Sequence, residues 1–185
     1  MSDLGDFLAR MVGALDRAGV PYMLAGSMAS TFHGTPRTTQ DVDFVVDPDL
    51  ARLDALIREL PEETYYLSDV AARDALRRRG MFNVIDLVTG WKADLIVKKA
   101  RPFSTREFAR RRFASVLGVE LRIASAEDTV LTKLEWALKG GGSERQLADV
   151  RGILAARGAD LDVAYLEAGI AELRLQAQWD LARRG

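Results

Sequence analysis

The stretch Leu24–Val46, LAGSMASTFHGTPRTTQDVDFVV, decides how this chain folds. Its last six residues, Asp41-Val42-Asp43-Phe44-Val45-Val46, form an apolar, β-branched run headed by two carboxylates, which reads as a buried strand. Alternate strand residues point the same way, so Asp41 and Asp43 share one face. Like charges that close are costly unless a cation stands between them, and hard carboxylate oxygens suit Mg²⁺ or Mn²⁺. Thirteen residues separate this pair from Gly26-Ser27, the turn between a short strand reading (Tyr22 to Ala25) and a helical one (Met28 to Phe32). A helix start offers free N–H groups to a phosphate, Gly26 admits the phosphate close to the backbone, and the Ser27 hydroxyl adds a further bond. A DxD alone is also what a solvent-facing strand edge shows; the Gly-Ser helix start is what turns it toward nucleotide chemistry.

The composition sets bounds on this reading. The chain has 185 residues, 48% hydrophobic and 29% charged, enough for one domain with a real core and a small appended lobe. A net charge of −1 gives no global field for nucleic acid, although Arg77-Arg78-Arg79 and Arg110-Arg111-Arg112 are local basic stretches. With no cysteine and one histidine, disulfides, thiolate sites and histidine-rich metal sites are excluded. No apolar run approaches the roughly 20 residues of a membrane span. Asp3 and Asp6 head an amphipathic helix rather than a signal peptide, so a cytoplasmic location and no membrane partner are expected.

Outward from the central stretch, Leu4, Phe7, Leu8, Met11, Val12 and Leu15 recur at helical spacing until Gly19 and Pro21. Leu50 to Leu60 reads as amphipathic helix, Tyr65 to Leu67 as a short strand and Val70 to Arg79 as a basic helix. Phe82 to Val88 and Trp91 to Val97 alternate and meet at Thr89-Gly90, which predicts a hairpin. Phe108 to Phe113 reads as a helical piece, and Ala114 to Val116 with Glu120 to Ile123 as a second hairpin about Leu117-Gly118. Ser125-Ala126-Glu127-Asp128 is a capping box ahead of the stripe Val130, Leu131, Leu134, Leu138, and Gly140 to Ser143 breaks that helix from the next. The expected fold class is α/β (α+β): a small mixed β-sheet flanked by helices over 1–124, followed by a helical subdomain over 125–185.

Gly-Ser, a spacer, then Asp-hydrophobic-Asp resembles the signature of the nucleotidyltransferase superfamily typified by DNA polymerase β. The resemblance implies a third catalytic carboxylate on a neighbouring strand. Asp94, in Lys92-Ala93-Asp94-Leu95-Ile96-Val97, matches it, with Asp86 in Val84-Ile85-Asp86-Leu87 as a competitor. The stretches Phe82 to Val97, Ser125 to Trp136 and Ser143 to Val150 look like small bacterial nucleotidyltransferases related to AbiEii-type toxin enzymes. Those enzymes imply a site lysine and a later site aspartate, here Lys133 and Asp149. Each has a plainer reading: Lys133 as a solvated helix residue, and Asp149 as a surface partner of Arg145 at i, i+4. Arg37 is read as a phosphate clamp or an exposed loop residue, His33 as a helix-end histidine favoured by the dipole, and Trp91 and Trp136 as core or cleft wall.

The resemblance implies transfer of a nucleoside monophosphate from an NTP such as ATP to an acceptor hydroxyl. Asp41, Asp43 and Asp94 would hold Mg²⁺ or Mn²⁺, with Asp94 also serving or positioning the base. Gly26, Ser27, Arg37, Lys133 and Asp149 would form the nucleotide site. The acceptor is left open among an RNA 3′ end such as tRNA, a protein hydroxyl and a small molecule. A cognate toxin or antitoxin partner is also implied. The alternatives are a DxD nucleotide-sugar glycosyltransferase and a catalytically silent antitoxin or interaction protein of the same fold.

Overall fold

A computed structural model of the chain describes residues 3–39 and 41–184. Met1, Ser2, Gln40 and Gly185, and with them the outer ends of 1–124 and 125–185, lie outside the described residues. The alternation in β2 (Asp41–Val46) organises the sheet: Val42, Phe44 and Val46 are fully buried on one face, while Asp41, Asp43 and Val45 stand on the other. β2 runs antiparallel to β1 (Tyr22–Leu24) and parallel to β5 (Lys92–Val97), with Asp43 directly opposite Asp94. β4 (Met81–Asp86) and β3 (Tyr65–Leu67) extend the sheet past β5. β7 (Val119–Ile123) and β6 (Arg112–Val116) extend it past β1, giving the order β3-β4-β5-β2-β1-β7-β6.

The apolar face of β2 and its neighbours is covered by α1 (Asp3–Arg17), α3 (Leu50–Glu59) and α4 (Asp69–Arg78). Phe7, Leu8, Met11, Leu53, Leu56 and Ala72 pack there with Phe44 and Leu95. A second apolar cluster joins α6 (Ala126–Lys139), α7 (Glu144–Arg157), α8 (Val163–Leu173) and α9 (Gln176–Arg184), with Phe103 of α5 (Pro102–Ala109). Between the two lies α2 (Gly26–His33), which packs on β2, α6 and α7. The expected cap of α6 is made, the Asp128 N–H donating to Ser125 Oγ at 3.1 Å.

Three local expectations are corrected. The helical piece read over 108–113 is instead the end of α5, which starts earlier because Pro102 occupies its first turn; Arg112 then opens β6, not Ala114. The first hairpin does not turn on Thr89-Gly90 alone. The Asp86 carboxylate accepts from the N–H groups of Val88 and Thr89, which ends β4 at Asp86 and closes a five-residue loop, Leu87 to Trp91. His33 is buried, its Nε2 lying 2.7 Å from the Ala124 carbonyl oxygen, and burial pushes its pKa down, so packing rather than the helix dipole governs it.

Asp86, the competing carboxylate, lies away from the face of Asp41 and Asp43. It is 1% exposed on the apolar face, opposite to that of Asp94, and the Arg10 guanidinium pairs with it there. Burial alone would raise its pKa; the Val88 and Thr89 N–H groups and Arg10 outweigh this and hold it below the ordinary carboxylate range. Its stabilisation is therefore present above the unfolded-state pKa and lost as the pH falls through the folded value. We expect Asp86→Ala to cost about 2 kcal/mol in urea denaturation, because two loop N–H groups and Arg10 lose their acceptor.

Candidate active site

The parallel register of β2 and β5 puts Asp41, Asp43 and Asp94 on one sheet face. The Lys92 ammonium bridges Asp41 Oδ1 at 3.3 Å and Asp94 Oδ1 at 3.4 Å, and the Asn83 side-chain amide donates to Asp94 Oδ1. Lys92 stands two residues before Asp94 on the same strand face, and Asn83 is its cross-strand partner on β4. Neither was singled out in the sequence; strand parity points to Lys92, but Asn83 needs the true hairpin register. Burial raises the Asp43 pKa; the Ser27 N–H bonded to its carboxylate opposes this, and the charges of Asp94 and Asp41 reinforce it.

Gly26 is fixed by this carboxylate. It starts α2 at φ +59°, and a Cβ added there would stand 1.9 Å from Asp43 Oδ2. The residue expected to admit a phosphate thus also admits Asp43 against the helix start.

Lys133, Asp149 and Arg37 converge on the other side of Ser27. Asp149 is buried and holds three groups: Lys133 Nζ at 2.7 Å, Arg37 Nε at 2.8 Å and Arg37 Nη2 at 3.0 Å. Arg37 Nη2 also donates to Ser27 Oγ at 2.6 Å, and Ser30 Oγ donates to Asp149 at 3.2 Å. The solvated reading of Lys133 and the Arg145 pairing of Asp149 are both corrected: Lys133 is 4% exposed, and Asp149 turns inward to two cations instead. Burial works against the Asp149 charge, but Arg37 and Lys133 hold its pKa below the ordinary range; burial lowers that of Lys133, with Asp149 opposing. Two cations on one carboxylate leave one positive charge beside the α2 start.

These groups open on a cleft of about 640 Å³. Gly26, Ser27, Asp43 and Lys133 line one end, and Ile96, Thr132, Glu107 and Trp136 line the rest. Trp136, half-exposed, is cleft wall, whereas Trp91 packs against the sheet core. Arg101 pairs with Glu135, Nη2 to Oε2 at 2.7 Å, which ties α5 to α6 across the cleft. A second opening of about 440 Å³, lined by Ser27, Arg37, Asp41, Asp43 and Arg145, reaches the same carboxylates. Glu107, which the sequence did not single out, is 7% exposed, accepts from Thr132 Oγ1 at 2.9 Å, and is pushed up to about 7 by burial.

Among the described residues no group of three acidic or imidazole side chains is drawn together tightly enough to hold a metal ion directly. The donor chemistry nonetheless fits a hard divalent cation: three carboxylates on one face, one desolvated, with Lys92 supplying a positive charge between two of them.

Known structures share this arrangement of elements. An antigenic nucleotidyltransferase-like protein from Paracoccidioides brasiliensis superposes with TM-score 0.60 at 18% identity, over 98% of this chain and 92% of that one. ANT(2")-Ia, solved in complex with adenylyl-2"-tobramycin, gives TM-score 0.62 at 13% identity, over 95% and 99%. The lincosamide antibiotic adenylyltransferase LnuA, lincomycin-bound, gives 0.53 at 10% identity, over 83% and 96%. At these identities the likeness is one of fold. No family model and no curated protein matches the chain.

Two outcomes are expected. Gly26→Ala, which sets a methyl group against Asp43 at a positive φ, lowers stability by about 1–3 kcal/mol, read by denaturation. Glu107 binds its proton more tightly folded than unfolded, so its contribution to stability falls as the pH rises from about 4.5 to about 7. Glu107→Gln removes that slope, and the wild-type minus variant difference in melting midpoint falls across this window.

Proposed function

We propose that this chain, whose fold is that of the nucleotidyltransferase superfamily, transfers a nucleoside monophosphate from an NTP to an acceptor hydroxyl. One observation carries the reading: Asp41, Asp43 and Asp94 share a sheet face directly against the Gly26-Ser27 helix start, at the end of a cleft. The acceptor oxygen forms a bond to the α-phosphorus, the bond from that phosphorus to the bridging oxygen breaks, and pyrophosphate leaves. Mg²⁺ or Mn²⁺ held by Asp41, Asp43 and Asp94 supplies charge neutralisation at the phosphates when bound.

This chain's own groups do the rest. The α2 start and the net positive charge of Arg37, Lys133 and Asp149 receive the phosphates, and Asp149 fixes both cations before substrate arrives. Arg37, through its bond to Ser27 Oγ, holds that hydroxyl toward the phosphate end. Asp94, oriented by Asn83, takes the proton of the acceptor hydroxyl. The ion pair between Arg101 and Glu135 keeps the cleft walls at a fixed separation, so catalysis is mostly positioning and charge. The α/β part over 1–124 then supplies the carboxylates and the helical part over 125–185 supplies Lys133 and Asp149. No helix among the described residues is long and apolar enough to cross a membrane.

The test uses α-³²P-labelled NTPs with total RNA, a protein lysate and a small-molecule panel as separate acceptors. Label transfer is expected with one acceptor class in the presence of Mg²⁺, to be abolished by chelation, and to fall at least about 100-fold in Asp43→Asn and in Asp94→Asn. An Asp43→Asn protein that transfers label at the wild-type rate sinks the proposal.

A further inference from the structure

A second crowd of like charges gathers on the site face, toward its other edge. Met23 stands opposite Val45 across β1 and β2, and β1 runs parallel to β7 with Leu24 opposite Ile123. Arg122 therefore emerges on the face that carries Asp43, and Phe113 is its partner across β6 and β7. The distance from β2 to β6 is three strand spacings, roughly 15 Å.

The Arg122 guanidinium lies 4.0 Å from the centroid of the Phe113 ring, and Phe113 is 69% exposed. Arg111 lies 4.2 Å over the Phe108 ring, with its Nε buried and without a hydrogen-bond partner. Burial and then the charge of Arg122 push the Arg111 pKa down, so the two guanidiniums stand in each other's field. Arg110 is held by Asp128 and Glu127, whereas Arg111, Arg112 and Arg122 make no ion pair among the described residues. Two carboxylates lie nearby: Asp47, already paired with Lys98, and Glu120, two residues before Arg122 on β7. Lys98 lies 5.2 Å from the centroid of the Phe108 ring, and the next residue, Lys99, lines the cleft. Cations and rings thus stand together between the cleft and the sheet edge.

Arg111 also donates to the Phe108 carbonyl oxygen, but guanidiniums crowded together without a carboxylate partner favour an anion, just as crowded carboxylates favour a cation. A solvent-facing phenyl ring backed by a guanidinium adds what a bare phosphate site lacks, a flat surface on which a base of any sequence stacks. A duplex keeps its bases stacked inside and offers none to Phe113. We propose that the Arg111, Phe113 and Arg122 edge binds single-stranded nucleic acid and leads its terminal hydroxyl along Lys98 and Lys99 into the cleft. The delivery step rests on the nucleotidyl-transfer reading above; the binding itself does not.

The experiment measures fluorescence anisotropy of a labelled single-stranded RNA of mixed sequence, its duplex form and heparin as competitor. The proteins are wild type, Phe113→Ala and Arg122→Ala, all at several salt concentrations. Expected are tighter binding of the single strand than of the duplex, roughly tenfold weaker binding by Phe113→Ala, and a salt slope lower by about one in Arg122→Ala. NTP binding by both variants stays at the wild-type level, which reports an intact fold. If Phe113→Ala binds the single strand as wild type does, or if the duplex binds equally well, the edge is a polyanion patch only and the proposal is overturned. Loss of RNA binding in the variants with no label transfer to RNA in wild type leaves this site standing and counts against the transfer reading. Label transfer to a protein or small molecule, with no RNA bound, does the reverse.

Discussion

Everything in this molecule turns on a repulsion. The parallel register of β2 and β5 sets Asp43 beside Asp94, with Asp41 one pleat away on the same face. Burial and mutual charge make that arrangement unfavourable by itself, and the fold answers with local compensation: the Lys92 ammonium, the Asn83 amide and the Ser27 N–H each take up part of the negative charge. A strand pair whose only task was to hold the sheet together would place apolar side chains there, as the other face of β2 does with Val42, Phe44 and Val46. Acidic residues kept together at such cost are what the proposed nucleotidyl-transfer reading draws on.

The second organising group is Asp149. It lies on α7, far along the chain, yet it joins Ser30 of α2, Arg37 of the following loop and Lys133 of α6. By doing so it couples the helical part to the helix start that faces Asp43. It fixes two flexible cations in place beside the start of α2. The same contacts explain the close approach of α2 and α7, where a side chain on Gly34 would run into the backbone at Gly152 and Ile153.

How far the sequence speaks depends on the range of the interaction involved. The pairing of Asp41 with Asp43 is a two-residue periodicity and needs no tertiary information. The Gly26-Ser27 helix start, the Ser125 cap and the turn at Leu117-Gly118, where both residues take positive φ, are likewise local chemistry. Errors arose where a local signal had a non-local or side-chain competitor. Thr89-Gly90 is a good turn pair, but the Asp86 carboxylate captures two N–H groups and ends the strand early. Arg110 to Arg112 read as helix by composition, yet the pairing of Arg112 with Ile123 draws the chain into a strand.

The chain's own order of residues determined the fold class, the strand that bears the paired carboxylates and the helix start set before it, because each follows from periodicity and turn chemistry within a few residues. The strand motif already favoured Asp94 over Asp86, and the tertiary structure set Asp94 beside Asp43 and Asp86 on the opposite, apolar face. The tertiary structure alone turned Asp149 from Arg145 toward Arg37 and Lys133, and it alone revealed Asn83, Glu107 and the unpaired arginines of the β6 edge. The physical reason is common to all of these: a charge takes the partner that burial and strand register bring to it, and neither is written in its neighbours along the chain.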